Sequence, residues 1–511
     1  MENKDSSFYA NLIHDETFEM DSEEIRKLGY QTVDLIVDYI KNIEKDPILP
    51  TKTFNQIKED IRESVPQNER NHIDVLNECN EKIIKNAVRV GNPLFLGWIL
   101  TSGTTISAFA DGIASAINQN VAVSGSSIAT AVELLVIDWI KKIIDFDSNA
   151  GGILVSGGTV ANLTALNVAR DNKLGFLNSP INKYEEKKII LYMSEEAHVC
   201  ILKSAHILGL SKENIRKISV DNNLCLDTQN LKEKIKEDQD NGNHPFAVVA
   251  TAGTVNSGAI DPLESIADIC KKNKIWFHID AAYGGFASLS SQYKPLLKGI
   301  YQADSIALDP HKWLFIPFEA GCVLIKNPLH LKQTFAVNTD YIHLNKLDIQ
   351  KNNDIDFSDY GIQLSRQFRA LKIWMSLKQY GIKKYERLIN QNINLTKYFE
   401  ALIEESSDFE KIMPSNLSVF CFRYNPIHLN EEKNFNNQPN QEIYLNQINQ
   451  KIIEEMRMDQ RAMLSSTIIK GKFVLRSCIV NFRTKKADIL KIIKIIREIG
   501  EKVDNNLRNN H

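Results

Sequence analysis

Ile275-Trp-Phe-His-Ile-Asp-Ala-Ala-Tyr-Gly-Gly285 and Ser305-Ile-Ala-Leu-Asp-Pro-His-Lys-Trp313 are the two stretches on which the reading of this sequence turns. Each begins as a brief apolar run (Ile275–Asp280, Ser305–Leu308) and ends in charged or small residues. An apolar run of this length bounded by turn residues predicts a strand covered on both faces, as in a parallel sheet. Similar runs stand at Gly152–Val155, Ile189–Met193, Phe246–Thr251 and Gly321–Ile325, separated by amphipathic stretches such as Thr159–Ala169 and Pro262–Lys272. Strands alternating with helices predict an α/β layer structure with a mostly parallel sheet.

Working outward, Ser22 to about Ile43 sets Ile25, Leu28, Leu35, Ile36, Tyr39 and Ile40 on a helical stripe, with Asp21 or Ser22 as its cap and Pro47 and Pro50 beyond its end. The opening 105 residues read as helices and connections without strand alternation. After Arg366 a long helical pattern leaves the sheet region. The tail gives strands near Val419–Arg423 and Phe473–Ile479 and a last helix near Ala487–Val503, while the Asn- and Gln-rich Asn430–Gln450 reads as a solvated loop. The expected division is a helical arm over 1–105, a large α/β domain over 106–375 and a small α+β domain over 376–511.

The length of 511 residues agrees with about three units. Hydrophobic residues make up 43% and charged residues 24%, and 61 Lys plus Arg against 64 Asp plus Glu leave a formal charge of −3. That balance disfavours binding to nucleic acid or an anionic membrane by bulk attraction. The seven cysteines stand too far apart for a CxxC redox or zinc motif, so they are expected as thiols in a reducing compartment, with no metal. The polar, acidic N-terminus has no signal-peptide pattern, and no apolar run reaches the ~18 residues that span a bilayer. A cytoplasmic protein is expected.

Four features bear on chemistry. Lys312 follows a strand end among apolar residues; it is either a snorkelling surface lysine or a desolvated amine of lowered pKa, suited to Schiff-base formation. Asp280 ends the strand before it, as a turn aspartate or as a carboxylate placed to pair with a cation at the carboxyl ends of the strands. Ser156-Gly-Gly-Thr159 opens a helix and can serve as a plain turn or bind phosphate through free amides. His198 follows the strand IILYM. Neither GxGxxG nor GxxxxGK[ST] is present, so no dinucleotide or nucleoside triphosphate is indicated. A phosphate turn, a histidine, a strand-end carboxylate and a lysine stand in the chain order expected for a pyridoxal 5′-phosphate site.

The order SGGTVANLTAL, EEAHV, TAGTVNSGAIDPL, HIDAAYGG, DPHKW and QLSRQFRALKIW, running from about Ser22 to about Arg483, resembles the group II pyridoxal-dependent decarboxylases, and within them the aromatic-amino-acid and tyrosine decarboxylase branch. The resemblance implies the aspartate-aminotransferase-like type I fold and a homodimer with its site at the interface. It implies that Lys312 holds the cofactor as an internal aldimine, that Asp280 pairs with the pyridine nitrogen, that His198 and Ala282 pack on its two faces, and that Gly158, Thr159 and His311 bind its phosphate. Asp309 stands where the family often has Asn or Ser. On the substrate side the resemblance implies Trp98, Thr101, Ser365 and Arg476, and Ser365 ranks tyrosine and DOPA first, histidine next and tryptophan last. A family loop tyrosine, in a pattern like V-D-Y-K-D-W-Q, is matched by Phe357 in Ile355-Asp-Phe-Ser-Asp-Tyr-Gly361. Either Tyr360 or His198 then supplies the proton and an amine results, or no acid replaces the tyrosine and the outcome is oxidative deamination to an aldehyde. A non-catalytic binding protein on the same fold is the reading from another class.

Overall fold

All six apolar runs are strands of one sheet. The computed structural model describes residues 17–122, 127–175, 189–337, 355–431 and 438–509. The chain divides into two compact units, Met1–Arg89 and Val90–His511. In the first, the helix Ser22–Asn42 starts where Asp21 accepts the N–H groups of Glu23 and Glu24 at 2.8 and 2.9 Å. Two short helices follow at Phe54–Asp60 and His72–Glu78.

The second unit holds twelve strands among the described residues: β1 (Phe95–Leu96), β2 (Gly151–Val155), β3 (Ile189–Ser194), β4 (Ile215–Ile218), β5 (His244–Thr251), β6 (Trp276–Asp280), β7 (Ser305–Leu308), β8 (Gly321–Ile325), β9 (Phe409–Lys411), β10 (Val419–Tyr424), β11 (Met463–Ile469) and β12 (Lys472–Cys478). The large sheet runs β2-β8-β7-β6-β5-β3-β4. Only β8 runs opposite to the other strands, so β3, β5, β6 and β7 all end on the same edge. Their residues are buried almost throughout, as strands covered on both faces require. The small sheet runs β1-β11-β12-β10-β9.

Two expectations need correcting. The opening 105 residues do contain a strand: β1 pairs in parallel with β11, Phe95 opposite Met463, and two residues are too short to show alternation. The stretch taken as a solvated loop is largely a helix, Gln438–Asp459; residues 432–437 lie outside the described residues. Leu445, Ile448, Ile452 and Met456 bury one stripe at helical spacing, and the Asn and Gln residues mostly occupy the other faces. Asn449 is the buried exception. It accepts the Tyr424 N–H at 2.8 Å and donates to the Tyr424 carbonyl at 2.9 Å, fastening the helix to β10.

The long helix Ala370–Glu404 is broken at Gly381, whose φ of 66° only glycine adopts without strain. Just before it, Arg366 is buried against Glu133 of the helix Ile128–Ile143, with Nη2 at 2.5 Å from Oε1. Arg366 also donates to the carbonyls of Leu154 and Val121, and Glu133 accepts the Leu154 N–H at 2.9 Å. This pair ties β2 to the helix Ile128–Ile143 and to the stretch leading into the helix Ala370–Glu404. Among the described residues no helix is long and apolar enough to cross a membrane.

Candidate active site

The carboxyl ends of β5, β6 and β7 and the first turn of the helix Gly158–Leu174 enclose a cleft of about 390 Å³. Lys312 reaches it from the turn Pro310–Trp313 that directly follows β7. The neighbouring Trp313 is fully buried, stacks on Tyr283 at 4.9 Å between ring centres and donates to Asn392, so the backbone carrying Lys312 is pinned. Lys312 Nζ lies 3.0 Å from Asp309 Oδ2. Burial pushes the amine down, but the carboxylates of Asp309 and Asp280 outweigh it and hold the amine above its ordinary range. Of the two sequence readings of Lys312, neither stands as stated. It is not a surface lysine, and its pKa is not lowered here, because two acids face it.

Asp280 closes β6 at 5% exposure and accepts the Ala282 N–H at 3.2 Å. Burial pushes its carboxyl upward, against the pull of Lys312. His198 caps the helix Val199–Ile207, its Nδ1 accepting the Cys200 N–H at 3.2 Å. In the neutral ring that leaves the proton on Nε2. Burial lowers the His198 pKa, with Asp280 pulling the other way.

The opposite wall is the Ser156–Thr159 turn. The helix beginning at Gly158 has no side-chain cap, and Gly158, Thr159 and Val160 line the cleft, so its free amides and dipole are available to an anion. The glycines permit this approach. A Cβ on Gly158 would sit 2.8 Å from Asp309 Oδ2 and 3.2 Å from Ala282 Cβ, and one on Gly157 would sit 3.0 Å from the His311 ring. His311 is oriented by the Ala320 N–H on its Nδ1 at 3.1 Å, with Nε2 3.6 Å from Asp309. Burial lowers its pKa.

Lys312, Asp280, His198, Gly158, Thr159, Ala282 and His311 are therefore brought together in one cleft. Within it Thr251 Oγ1 and Asp309 Oδ1 are buried without a hydrogen-bond partner, polar atoms that await a polar ligand. An uncapped helix start for phosphate, a buried carboxylate for a ring nitrogen and an amine for an aldehyde fit pyridoxal phosphate. Thr251, Asn162, Cys200 and Tyr283 also line the cleft. Sequence reasoning missed them; Thr251 had a signal in its place at the end of an apolar run.

The remaining expected residues do not line this cleft. Arg476, 2% exposed, donates to the carbonyls of Trp98 and Asn256, both at 3.2 Å, and to Ser465. Trp98 is 49% exposed, Thr101 is buried and Ser365 lies on the surface. Phe357 is fully buried, with the Arg366 guanidinium 4.8 Å above its ring, and Tyr360 packs edge-on against it at 6.0 Å. Burial holds the Tyr360 hydroxyl protonated.

Residues 55–425 match the family model described as the pyridoxal-dependent decarboxylase conserved domain. An aromatic-L-amino-acid decarboxylase of Bacillus atrophaeus is 36% identical over 96% of this chain and 98% of its own length. A phenylacetaldehyde synthase of Arabidopsis thaliana is 31% identical over 94% and 96%. Among solved structures, Oryza sativa TDC with PLP and tryptamine superposes with a TM-score of 0.85 at 25% identity, covering 95% of this chain and 99% of that one. A cleft built for pyridoxal phosphate, on a fold and a sequence shared almost end to end with these proteins, places the chain in the pyridoxal-dependent decarboxylase family, as a carboxy-lyase of the type I fold.

Proposed function

We propose that the protein converts an aromatic L-amino acid, tyrosine or DOPA ahead of histidine and tryptophan, to its amine and CO₂. The observation that carries the site assignment is the Lys312 amine set between two carboxylates beside an uncapped helix start. The aromatic substrate class is supported by the near full-length similarity to the Bacillus atrophaeus enzyme.

When bound, pyridoxal phosphate supplies a carbonyl for the substrate amine and a conjugated ring that accepts the electron pair left as CO₂ departs. The chain's residues do the rest. Lys312 would hold the cofactor through its amine. Asp280, with a carboxylate oxygen fixed by Ala282, would pair with the ring nitrogen and keep it protonated. His198 and Ala282 would pack on the two faces of the ring, and His198 Nε2–H is one proton donor in this cleft beside the Lys312 amine. The amides of Gly158 and Thr159, with His311, would hold the phosphate. Trp98, Thr101, Ser365 and Arg476 serve the substrate from outside the cleft of a single chain, which favours a homodimer whose second copy completes the pocket.

Borohydride treatment of the coloured holoenzyme followed by peptide mapping tests the assignment. The label is expected on Lys312, and Lys312→Ala is expected to remain folded and lose turnover. A label on any other lysine would contradict the reading, and colourless protein that binds no cofactor would favour a binding protein on this fold.

The aldehyde outcome has Phe357 in the place of the family's loop tyrosine and the similarity to phenylacetaldehyde synthase behind it. Amine is the product proposed. One amine per CO₂ without peroxide is expected, and aldehyde with peroxide in equal yield would reverse that conclusion.

A further inference from the structure

Asp280 shares its face of β6 with His278 and Trp276, because residues two apart on a strand point the same way. Buried polar groups link these three side chains. Trp276 Nε1 donates to Ser305 Oγ at 2.8 Å, and Ser305, the register partner of His278 on β7, lies 2.8 Å from His278 Nδ1. His278 Nε2 is 2.7 Å from Asn162 Oδ1 on the inner face of the helix Gly158–Leu174. Asn162 Nδ2 donates to Cys200 Sγ at 3.3 Å, and Cys200 Sγ stands 4.0 Å from Asp280 Oδ2. Asn162, His278 and Ser305 have no exposure, and Cys200 has 3%.

The direction of these bonds is fixed at both ends. An indole N–H can only donate, and an ionised carboxylate can only accept. With Asn162 Oδ1 facing His278 Nε2, the neutral ring that completes the run carries its proton on Nε2 and accepts the Ser305 O–H at Nδ1, while the Asn162 amide N–H donates to sulfur and the Cys200 S–H to Asp280. A neutral imidazole is required, and burial pushes the His278 pKa down to about 3. Aligned bonds in a low-dielectric interior reinforce one another.

We infer that Asn162, His278 and Cys200 are positioning residues, forming a one-way relay that aims the Cys200 S–H at Asp280 Oδ2 and so fixes the carboxylate facing the cofactor's ring nitrogen. The Ala282 N–H holds the other oxygen, so both oxygens of the carboxylate are engaged and its plane is set. The inference rests on the assignment of Asp280 to the ring nitrogen.

The test compares Cys200→Ala, Cys200→Ser, His278→Phe, the Cys200→Ala/His278→Phe double variant and Asp280→Asn as holoenzymes. The readouts are kcat, KM and the pH at which the visible absorption band of the bound cofactor changes. Cys200→Ala is expected to lower kcat about three- to tenfold, the scale of one hydrogen bond, with KM within about twofold and the band's titration displaced. Cys200→Ser, which keeps a donor, should restore both. His278→Phe should act in the same direction, and the double variant should lose no more than Cys200→Ala, because the relay is already cut at its last link. Equal behaviour of the Ala and Ser variants, or losses that multiply in the double variant, would overturn the relay while leaving the site assignment intact, provided Asp280→Asn still lowers kcat and displaces the band. If Asp280→Asn changes neither, the assignment of Asp280 and the relay fall together.

Discussion

Lys312 and Asp280 illustrate how much a residue's neighbours decide. A lysine amine buried alone would lose its proton; here Asp309 and Asp280 hold it above its ordinary range. Asp280→Ala is expected to cost more in kcat than in cofactor affinity, because its charge matters most as the ring accumulates electrons. Comparing kcat with cofactor dissociation checks this, and a near-normal kcat would contradict it. His278 carries a prediction about pH. Its folded pKa of about 3 lies below its ordinary 6.5, so the unfolded chain takes a proton that the folded one refuses. Its contribution to stability is therefore complete above pH 6.5 and is lost as pH falls toward 3. Urea unfolding at several pH values should show a shallower acid slope in His278→Phe than in the wild type.

Legibility at this scale divided sharply. Lys312, Asp280, His198 and Gly158 were readable because their chemistry sits in short contiguous motifs. Asn162 and Cys200 were not, since nothing in sequence brings a helix interior against a strand end. Phe357 was legible as the residue in the matched place, while its burial under Arg366 was not, because packing leaves no mark in a short pattern.

At the scale of elements, the start of the helix Gly158–Leu174 combines free amides with an absence of side chains. Gly158→Val is expected to lower cofactor affinity about tenfold or more, equivalent to ~1.4 kcal/mol or above, since its Cβ alone would press on Asp309 and Ala282. Titration of the cofactor-free protein with pyridoxal phosphate measures this. The Glu133–Arg366 pair joins the helix Ile128–Ile143 and the stretch before the helix Ala370–Glu404 to β2, with both side chains essentially unexposed. Removing one partner strands a buried charge, so Arg366→Met is expected to cost about 3–5 kcal/mol of stability, read as a fall in the unfolding midpoint. The strands of the large sheet were legible because burial on both faces makes them uniformly apolar. The helix Gln438–Asp459 was hidden by composition. Its Asn and Gln residues suggested solvent, while the stripe through Leu445, Ile448, Ile452 and Met456 carried the true period.

For the whole molecule, the parallel strands β3, β5, β6 and β7 end on one edge, and that edge is where cofactor chemistry converges. The order of motifs along the chain made this arrangement readable from sequence. Which residues complete the substrate pocket was not readable, since Trp98, Thr101, Ser365 and Arg476 lie off the cleft. The most direct test of the whole account is CO₂ release from each of the twenty amino acids and DOPA by the wild-type holoenzyme and by Lys312→Ala, with amine quantified alongside. The account predicts fastest release from tyrosine or DOPA, one amine per CO₂, and none from the variant. Preferred turnover of tryptophan or of an acidic amino acid, or undiminished release by Lys312→Ala, would contradict it.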